Sequence, residues 1–515
     1  MNKRIKLAIA LAGSLLFLGC GVPYPVYEPP EHFKMSGRIF GYSELPERWG
    51  IEKVIAIKKD GNVLGEAVPV LDEDNMTWSL PVVAEENSIG TFWIEMSDGI
   101  SDIQYYNNGA DERFISGGHY DLDVNKDEIN IPIGSYRQLA LIGKNVQYPA
   151  NANYVLIRDI EIIGDWEPIS RSGSEPFSGI FNGHDNTISG LKLIEQNNWQ
   201  YIGLFGYVQG SVSEPAQLKN INLEISGAEL QLSAVNEQCF GVLAGFAENT
   251  IFDRITVSGP SRGLKIKKTG GGNFYAGGIV GKIKITGDIS TITDSAISRS
   301  ATLFGIEVDA DNTGTGYLGG IAGFAEFADT GISVSNCYST ELVALSNNGR
   351  AAYAGGILGY YEPLDPSMVT NYSTITKSYV RGEVSAFGNA GTIAAGGITG
   401  NGDGLKIEKT CALMVSVSAH NSASQSAFAC AGGFSGYNLQ EAADSYQLSS
   451  ITVTSPSIQP ITPINYPVDN GSPVNEYPVD KSAITETWFS GSLEWDFSIV
   501  WRWDARTGYP KFLWQ

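Results

Sequence analysis

Segment 121–127 has the sequence DLDVNKD and starts with carboxylates at alternating positions. A calcium-binding loop starts with the same spacing. Such a loop needs glycine at its sixth position and glutamate at its twelfth, where this chain has Lys126 and Pro132. The segment is therefore expected to be a strand end followed by a turn. The sequence predicts no metal site and no cofactor.

The histidines do not indicate a catalytic centre. No two of them have the spacing of zinc ligands, and no Gly-x-Ser-x-Gly segment of a serine hydrolase accompanies them. The four are His32, His119, His184 and His420. Lyases and hydrolases of polysaccharides need carboxylates that converge from neighbouring elements, and no such set recurs in register. We expect a protein that is not an enzyme.

A glycine cluster, YAGGIVG at 275–281, has the composition of a phosphate-binding loop, but it recurs along the chain and no Lys-Ser/Thr follows it. The last glycine of each copy anchors the alignment, and consecutive anchors lie 36 to 42 residues apart. The seven anchoring glycines are Gly206, Gly245, Gly281, Gly323, Gly359, Gly400 and Gly436. A period of this length is typical of a solenoid or an array.

Each copy predicts a strand, because the residue two positions before the anchor is always large and apolar while the residue between them varies. Ile279, Ile321 and Phe434 are examples. A polar corner and a further strand follow, as in NCYST at 336–340. A helical solenoid does not fit units so rich in Gly, Ser, Thr and Val. A propeller remains the alternative, although two or three strands per unit favour a parallel β-helix over residues 133–454.

This combination of a G-G-[IL]-x-G core and an N-C-Y-S-like corner resembles the GLUG repeat of bacterial surface proteins, over roughly residues 135–515. Two early copies depart from the pattern, with Ile202 and Val242 where glycine is expected. The resemblance implies a right-handed β-helix, an extracellular location and a role in adhesion or another surface function. It implies no catalytic site. Glycines at the corner would allow close backbone approach and unusual dihedral angles.

The N-terminus has the layout of an export signal: basic residues, a short apolar run and Gly19 before Cys20. The junction resembles a bacterial lipobox, whose cysteine is lipidated after residues 1–19 are removed. Residues 20–32 are rich in proline and predict an extended tether. The expected location is the cell envelope, as an outer-membrane or cell-surface lipoprotein held to the membrane by lipid at Cys20.

Two further domains flank the repeats. Alternating apolar runs over residues 33–132 predict a β-sandwich of the Ig-like or transthyretin-like kind, so the fold class is all-β, a sandwich followed by a β-helix. Residues 455–515 combine a proline-rich excursion with a C-terminal cap that carries five of the ten tryptophans. We expect the cap to plug the apolar end of the solenoid.

Aromatic side chains follow five of the anchoring glycines directly, and they are the candidate ligand-binding residues: Tyr207, Phe246, Phe324, Tyr360 and Tyr437. Stacked rungs would bring them into one column about 4.8 Å apart. A packing ladder at a corner is the favoured interpretation, and a carbohydrate-binding stripe is the alternative.

Function is predicted as adhesion or ligand binding at the cell surface, with a glycan or a protein as the ligand. A polysaccharide lyase or glycoside hydrolase built on a β-helix is the first alternative, and a structural envelope component is the second. A formal net charge of −22 argues against a nucleic-acid partner.

Cysteines after the signal fall on equivalent repeat positions that are several units apart. Cys239 and Cys430 are separated by five units and Cys337 and Cys411 by two, too far for a disulfide if one unit forms one rung. We expect four free, mostly buried thiols.

Substitution Cys20→Ala tests the anchor. Without the thiol no lipid can be attached, so the protein should move from the membrane fraction to the soluble fraction, as followed by fractionation and immunoblotting. Retention of the variant in the membrane fraction would contradict lipid anchoring.

Overall fold

The computed structural model describes residues 33–44, 50–58, 62–72, 75–82, 88–97, 104–107, 112–115, 117–124, 129–145, 148–196, 198–287, 295–328, 333–364, 372–422, 428–455 and 476–515. The predicted signal peptide, Cys20 and the predicted tether lie outside these ranges, as do residues 456–475 of the proline-rich segment.

The N-terminal domain is a sandwich of two antiparallel-rich sheets, as predicted. One sheet contains strands Val70–Asp72, Asn75–Val82, Phe33–Phe40 and Leu122–Asp123. The other contains strands Val63–Ala67, Gly50–Lys58, Ile89–Ser97, Gln104–Asn107 and Glu112–Arg113. Burial of apolar residues holds them together, and the Phe92 ring lies 5.0 Å from those of both Trp78 and Phe114.

The sandwich is continuous with the solenoid through backbone hydrogen bonds. Strand Gln104–Asn107 pairs with strand Ile129–Ile133, which in turn pairs in parallel with strand Asn153–Leu156. A small apolar cluster of Ile55, Ile57, Trp93 and Val155 forms beside this junction. The first edge of the solenoid is therefore paired rather than open.

The solenoid has three sheets, and each repeat unit from Tyr201 onward contributes strands to all of them. Sheet A has seven strands: Tyr201–Ile202, Gln238–Gly241, Phe274–Gly277, Thr315–Gly319, Ala351–Gly355, Thr392–Gly396 and Phe428–Gly432. Sheet C also has seven: Glu229–Leu232, Leu264–Gly270, Ile306–Asn312, Val343–Asn347, Glu383–Gly388, Ser416–Asn421 and Thr452–Thr454.

Sheet B is the largest. In each repeat unit its first strand begins one residue before the anchoring glycine. The strands that carry the anchors are Phe205–Gln209, Ala244–Glu248, Val280–Ile285, Ala322–Phe327, Leu358–Pro363, Thr399–Glu408 and Ser435–Ala443. Those further along the same rungs are Ala216–Ile225, Thr250–Ser258, Ser295–Ser298, Ala301–Thr302, Ser333–Ser335, Tyr338–Ser339, Ser373–Thr376, Tyr379–Val380, Cys411–Ala412, Ser445–Leu448 and Glu476–Val479. The earliest rungs add Ile160–Glu161, Asp165–Trp166, Ile180–Asn182 and Thr187–Leu193.

One repeat unit forms one rung. Each strand of sheet A pairs in parallel with its equivalent in the next unit, so that Tyr201 is opposite Cys239 and Cys239 is opposite Tyr275. Blades of a propeller would not pair in this way, so the parallel β-helix is confirmed. The register also separates Cys239 from Cys430 by five rungs, and all four described cysteines are free and buried, as predicted.

The predicted inward apolar residues are buried completely: Leu204, Leu243, Ile279, Ile321, Ile357, Ile398 and Phe434 are each 0% exposed. They lie at the corner where sheet A turns into sheet B. The anchoring glycine follows two residues later, inside the strand of sheet B.

At this glycine corner, backbone packs directly on backbone. A Cβ atom on Gly281 would lie 2.6 Å from the carbonyl oxygen of Gly245 and 2.7 Å from the amide nitrogen of Phe240. The prediction of close backbone approach is therefore confirmed. The prediction of unusual dihedral angles is wrong, because no anchoring glycine has a positive φ. Glycine is required here for space and not for conformation.

Left-handed residues occur instead at the polar corner within sheet B, and none of them is glycine. One residue in each of seven rungs has φ between 47° and 55°: Asn220, Arg254, Arg299, Asn336, Lys377, Lys409 and Asp444. Such a conformation is uncommon for arginine and lysine.

A buried polar ladder supports this corner in the later rungs. The hydroxyl of Ser378 donates to the carbonyl of Thr376 at 2.8 Å and accepts from the amide of Cys337, one rung away, at 3.0 Å. Thr410 and Ser445 make the equivalent contacts. Ser or Thr at the position held by Cys337 in NCYST thus satisfies backbone groups that the turn would leave unpaired.

Tryptophans of the C-terminal region pack against the flank of the solenoid, so the predicted end plug is wrong in position. We call residues 481–515 the clasp; they contain helix α2 (Glu486–Ser492) and the hairpin strands Trp501–Asp504 and Tyr509–Phe512. The Trp501 ring lies 6.0 Å from Tyr338 and 6.2 Å from Tyr379, which belong to adjacent rungs.

Contacts of the clasp extend along the flank from early rungs to late ones. Gln515 donates to the Thr256 hydroxyl at 3.3 Å, and the indole of Trp495 donates to the Lys409 carbonyl at 2.9 Å. Strand Glu476–Val479, just before the clasp, pairs in parallel with strand Ser445–Leu448 and so extends sheet B at the end of the solenoid. Tyr338 and Tyr379 on the flank form one buried apolar cluster with Trp495, Trp501 and Phe512 of the clasp.

The part of the chain that the structure describes has few helices. Besides α2 these are α1 (Tyr136–Leu139) and the 3₁₀ turns Tyr42–Glu44 and Lys481–Ala483. Across the described ranges, no helix has the length and apolarity to cross a membrane.

Substitution Gly281→Ala should destabilise the solenoid by about 3 kcal/mol, because the added methyl would push against backbone of the preceding rung. Chemical denaturation followed by circular dichroism measures this. Gly491→Ala is the matched control, since that glycine lies in α2 with no atom within 4 Å of the new methyl, and it should be neutral or stabilising by up to about 1 kcal/mol. Equal stability of the two variants would contradict the packing role of the corner.

Candidate ligand-binding site

Two columns of aromatic residues meet at the glycine corner, and together we call them the ring ladder. Strands of sheet A supply Tyr201, Tyr275, Tyr317 and Tyr353. Strands of sheet B supply the predicted residues Tyr207, Phe246, Phe324 and Tyr360, with Lys282 in register between Phe246 and Phe324. Parallel pairing without register shifts at these positions places each side chain over its equivalent.

Rings stack within each column and meet edge to face between columns. Tyr275 and Tyr317 lie 4.9 Å apart at an interplanar angle of 3°, and Phe324 and Tyr360 lie 5.3 Å apart at 2°. Across the corner, Tyr317 and Phe324 lie 5.2 Å apart at 84°. Each such pair adds about 0.5–1.5 kcal/mol beyond the area it buries.

The middle of the ladder therefore uses its ring faces for packing. Phe246 and Phe324 are 8% and 5% exposed. Tyr437 is separated from Tyr360 by buried Asn401 and is 39% exposed. Of the five residues predicted from the sequence, Tyr437 has the most accessible ring.

Lys282 occupies an aromatic position without breaking the ladder. Its ammonium lies 4.9 Å from the Tyr275 ring and 5.2 Å from the Phe324 ring, and Glu237 and Glu326 each lie 3.9 Å from it. The cation thus packs on ring faces as a ring would, and two carboxylates balance its charge.

Burial keeps the tyrosines of the ladder neutral. Burial, with a smaller contribution from nearby Glu237, raises the pKa of Tyr201 and of Tyr317 to about 12. Burial also raises the pKa of Tyr207 and Tyr360. The Tyr207 hydroxyl donates to Glu248 at 3.3 Å, and the Tyr275 hydroxyl donates to Glu237 at 3.2 Å. These groups are hydrogen-bond donors at ordinary pH and not nucleophiles.

A cleft of about 450 Å³ opens where the ladder ends on the side of the early rungs, and we call it the Trp199 cleft. Three chain segments line it: 171–173, 198–201 and 234–236. Tyr201 belongs to both the ladder and the cleft. Sequence reasoning missed the other residues, although an aromatic residue amid amides in NNWQYIG, at the first repeat copy, was a usable signal.

Other candidates from the sequence have structural partners. Asp121 pairs with Arg38 at 3.1 Å and with His119 at 2.9 Å, and Arg38 holds the pKa of Asp121 below its usual value. Residues 125–128 of the same segment lie outside the described ranges. Within those ranges no group of three His, Cys, Asp or Glu residues is arranged to hold a metal ion.

Comparison with protein-family models, with curated proteins and with solved structures finds no match to this chain.

Alkaline pH should weaken the ladder through its tyrosines. Below pH 10, the ordinary pKa of tyrosine, Tyr317 is neutral in the folded and the unfolded chain. Between pH 10 and 12 the unfolded chain loses this proton while the folded chain keeps it, so the free energy of unfolding falls as pH rises. Tyr317→Phe should reduce that fall, as measured by denaturation at pH 8, 10 and 11. Identical pH dependence of the two proteins would contradict this role.

Proposed function

We propose that the protein is a lipid-anchored, cell-surface binding protein of the GLUG-repeat kind, with a glycan or a protein as its ligand. The GLUG assignment is supported by the anchoring glycines, which allow backbone to pack on backbone, and by the NCYS-like corner, whose hydroxyls bond to backbone groups in the later rungs. Membrane attachment is supported by the layout of residues 1–20.

Ligand binding is supported by one observation: aromatic surface is accessible at the two ends of the ring ladder. Tyr437 is exposed at one end, and the Trp199 cleft opens at the other. Tyr201 and Tyr437 lie on paired strands of the rungs, so these two side chains would lose little conformational entropy on binding a ligand. Aromatic residues presented in this way are typical of recognition surfaces.

If the proposal is correct, a soluble form of the protein that starts at residue 21 should bind at least one member of an array of glycans and matrix proteins. A surface role also predicts that protease added to intact cells degrades the full-length protein. The Cys20→Ala variant is the control for the second measurement, since it should not remain with the cells. Binding to no array member, together with protection from external protease, would overturn the proposal.

A further inference from the structure

The Trp199 cleft combines an aromatic residue pair with amide groups and one guanidinium. Trp199 and Tyr201 are half-buried, whereas Arg171, Asn198 and Asn236 are exposed. A second and larger cleft, of about 730 Å³, lies nearby, and Asn153, Gln209 and Gln217 are among its lining residues. Among the described residues that line this second cleft, none is aromatic.

The Trp199 cleft exists because the ring ladder stops there. Sheet A begins with strand Tyr201–Ile202, and the preceding rung reaches this corner through a bridge between Ile169 and Phe205 instead of a strand of sheet A. Tyr201 makes its ring contacts with Tyr207 at 5.1 Å and Phe246 at 5.8 Å. A further rung of the same kind would place another aromatic ring beside Tyr201. Segment 171–173 and the cleft lie at that position instead.

The walls of the cleft are fixed by hydrogen bonds between rungs. The Gln238 side chain donates to the Trp199 carbonyl at 2.8 Å, and the Cys239 amide donates to the Gln200 carbonyl at 2.7 Å. On the opposite wall, the Tyr207 amide donates to the carbonyl of Ser170 at 2.7 Å. A ligand would therefore enter a preformed site.

Arg171 is oriented by two contacts and keeps donors for a ligand. Its guanidinium lies 5.3 Å from the Trp199 ring centre, and one of its nitrogens pairs with Glu167 at 2.9 Å. Glu167 also pairs with Lys144 at 3.1 Å. A guanidinium has five N–H donors, so this pairing leaves several for hydroxyl groups.

These groups match an uncharged sugar chain. The apolar C–H face of a pyranose ring stacks on indole and phenol rings, and vicinal hydroxyls accept from guanidinium and pair with amide side chains, which both donate and accept. A polyanionic glycan is disfavoured, because the chain carries a net charge of −22 and Glu167 lies beside Arg171. The volume falls in the range of about 300–1,000 Å³ that is usual for small-ligand sites.

We propose that the Trp199 cleft binds a neutral oligosaccharide, with Trp199 and Tyr201 as the stacking surface and Arg171, Asn198 and Asn236 as hydroxyl partners. The assignment rests on the proposed surface-binding function and gives it a ligand class and a location. The sequence suggested a sugar-binding stripe along the ladder, whereas this assignment places the sugar at the end of the ladder.

Isothermal titration of the soluble protein with cellohexaose, xylohexaose, mannohexaose and chitohexaose tests the assignment, with trigalacturonate as the anionic comparison. At least one neutral probe should bind, and Trp199→Ala should weaken that binding by at least about tenfold. Because Trp199 also packs on the core, Asn236→Ala serves as a second variant at an exposed position, with an expected loss of about threefold or more.

Two controls distinguish a loss of binding at the cleft from a loss of folding. Gln217→Ala, in the second cleft, should bind within about twofold of the wild type, and thermal unfolding should show that every variant is folded. Binding of no neutral probe, tighter binding of trigalacturonate, or wild-type affinity in both cleft variants would each overturn the assignment. If the array identifies a ligand that Trp199→Ala still binds, the surface-binding function stands and the cleft assignment falls.

Discussion

Backbone contact at the glycine corner is the constraint on which the remainder of the solenoid depends. Glycine at positions such as 281 and 323 lets the strand of sheet B touch the backbone of the preceding rung, and any side chain there would force the strands apart. The same turn buries Ile279 or its equivalent completely. Each corner thus fixes the angle between two sheets and the register of the next rung at once.

The register in turn creates the surface chemistry. Equivalent residues of successive rungs come to lie one above another, so a tyrosine repeated once per unit becomes a stack and a single lysine can be held between rings. Stacking fills the outside of the corner, as Ile279 and its equivalents fill the inside. Mutual cover nearly buries Phe246 and Phe324, whereas Tyr437 is exposed near one end of the ladder and the Trp199 cleft opens at the other. Each end of the ladder lies where the repeated pattern of large residues stops.

Sequence reasoning succeeded where a property repeats with the rung. The period of the glycines, the inward apolar residues, the free cysteines and the aromatic column of Tyr207 all depend on local spacing, which the sequence displays directly. It failed where the outcome depends on contacts between distant segments. The lateral docking of Trp501, the pairing of the Tyr201 column with the Tyr207 column, and a cleft built from three segments require knowledge of the three-dimensional arrangement. The left-handed conformation at Arg254 was also missed, because arginine gives no local signal for it.

The clasp changes how the solenoid is expected to fold. Pairing between neighbouring rungs allows such a structure to form and to fray one rung at a time. Gln515, however, contacts Thr256 across 259 residues of chain, and Trp495 contacts Lys409 in a much later rung. Loss of any rung between them would undo the packing of several tryptophans together. The clasp therefore couples otherwise independent rungs, and the flank should unfold as one cooperative unit instead of rung by rung.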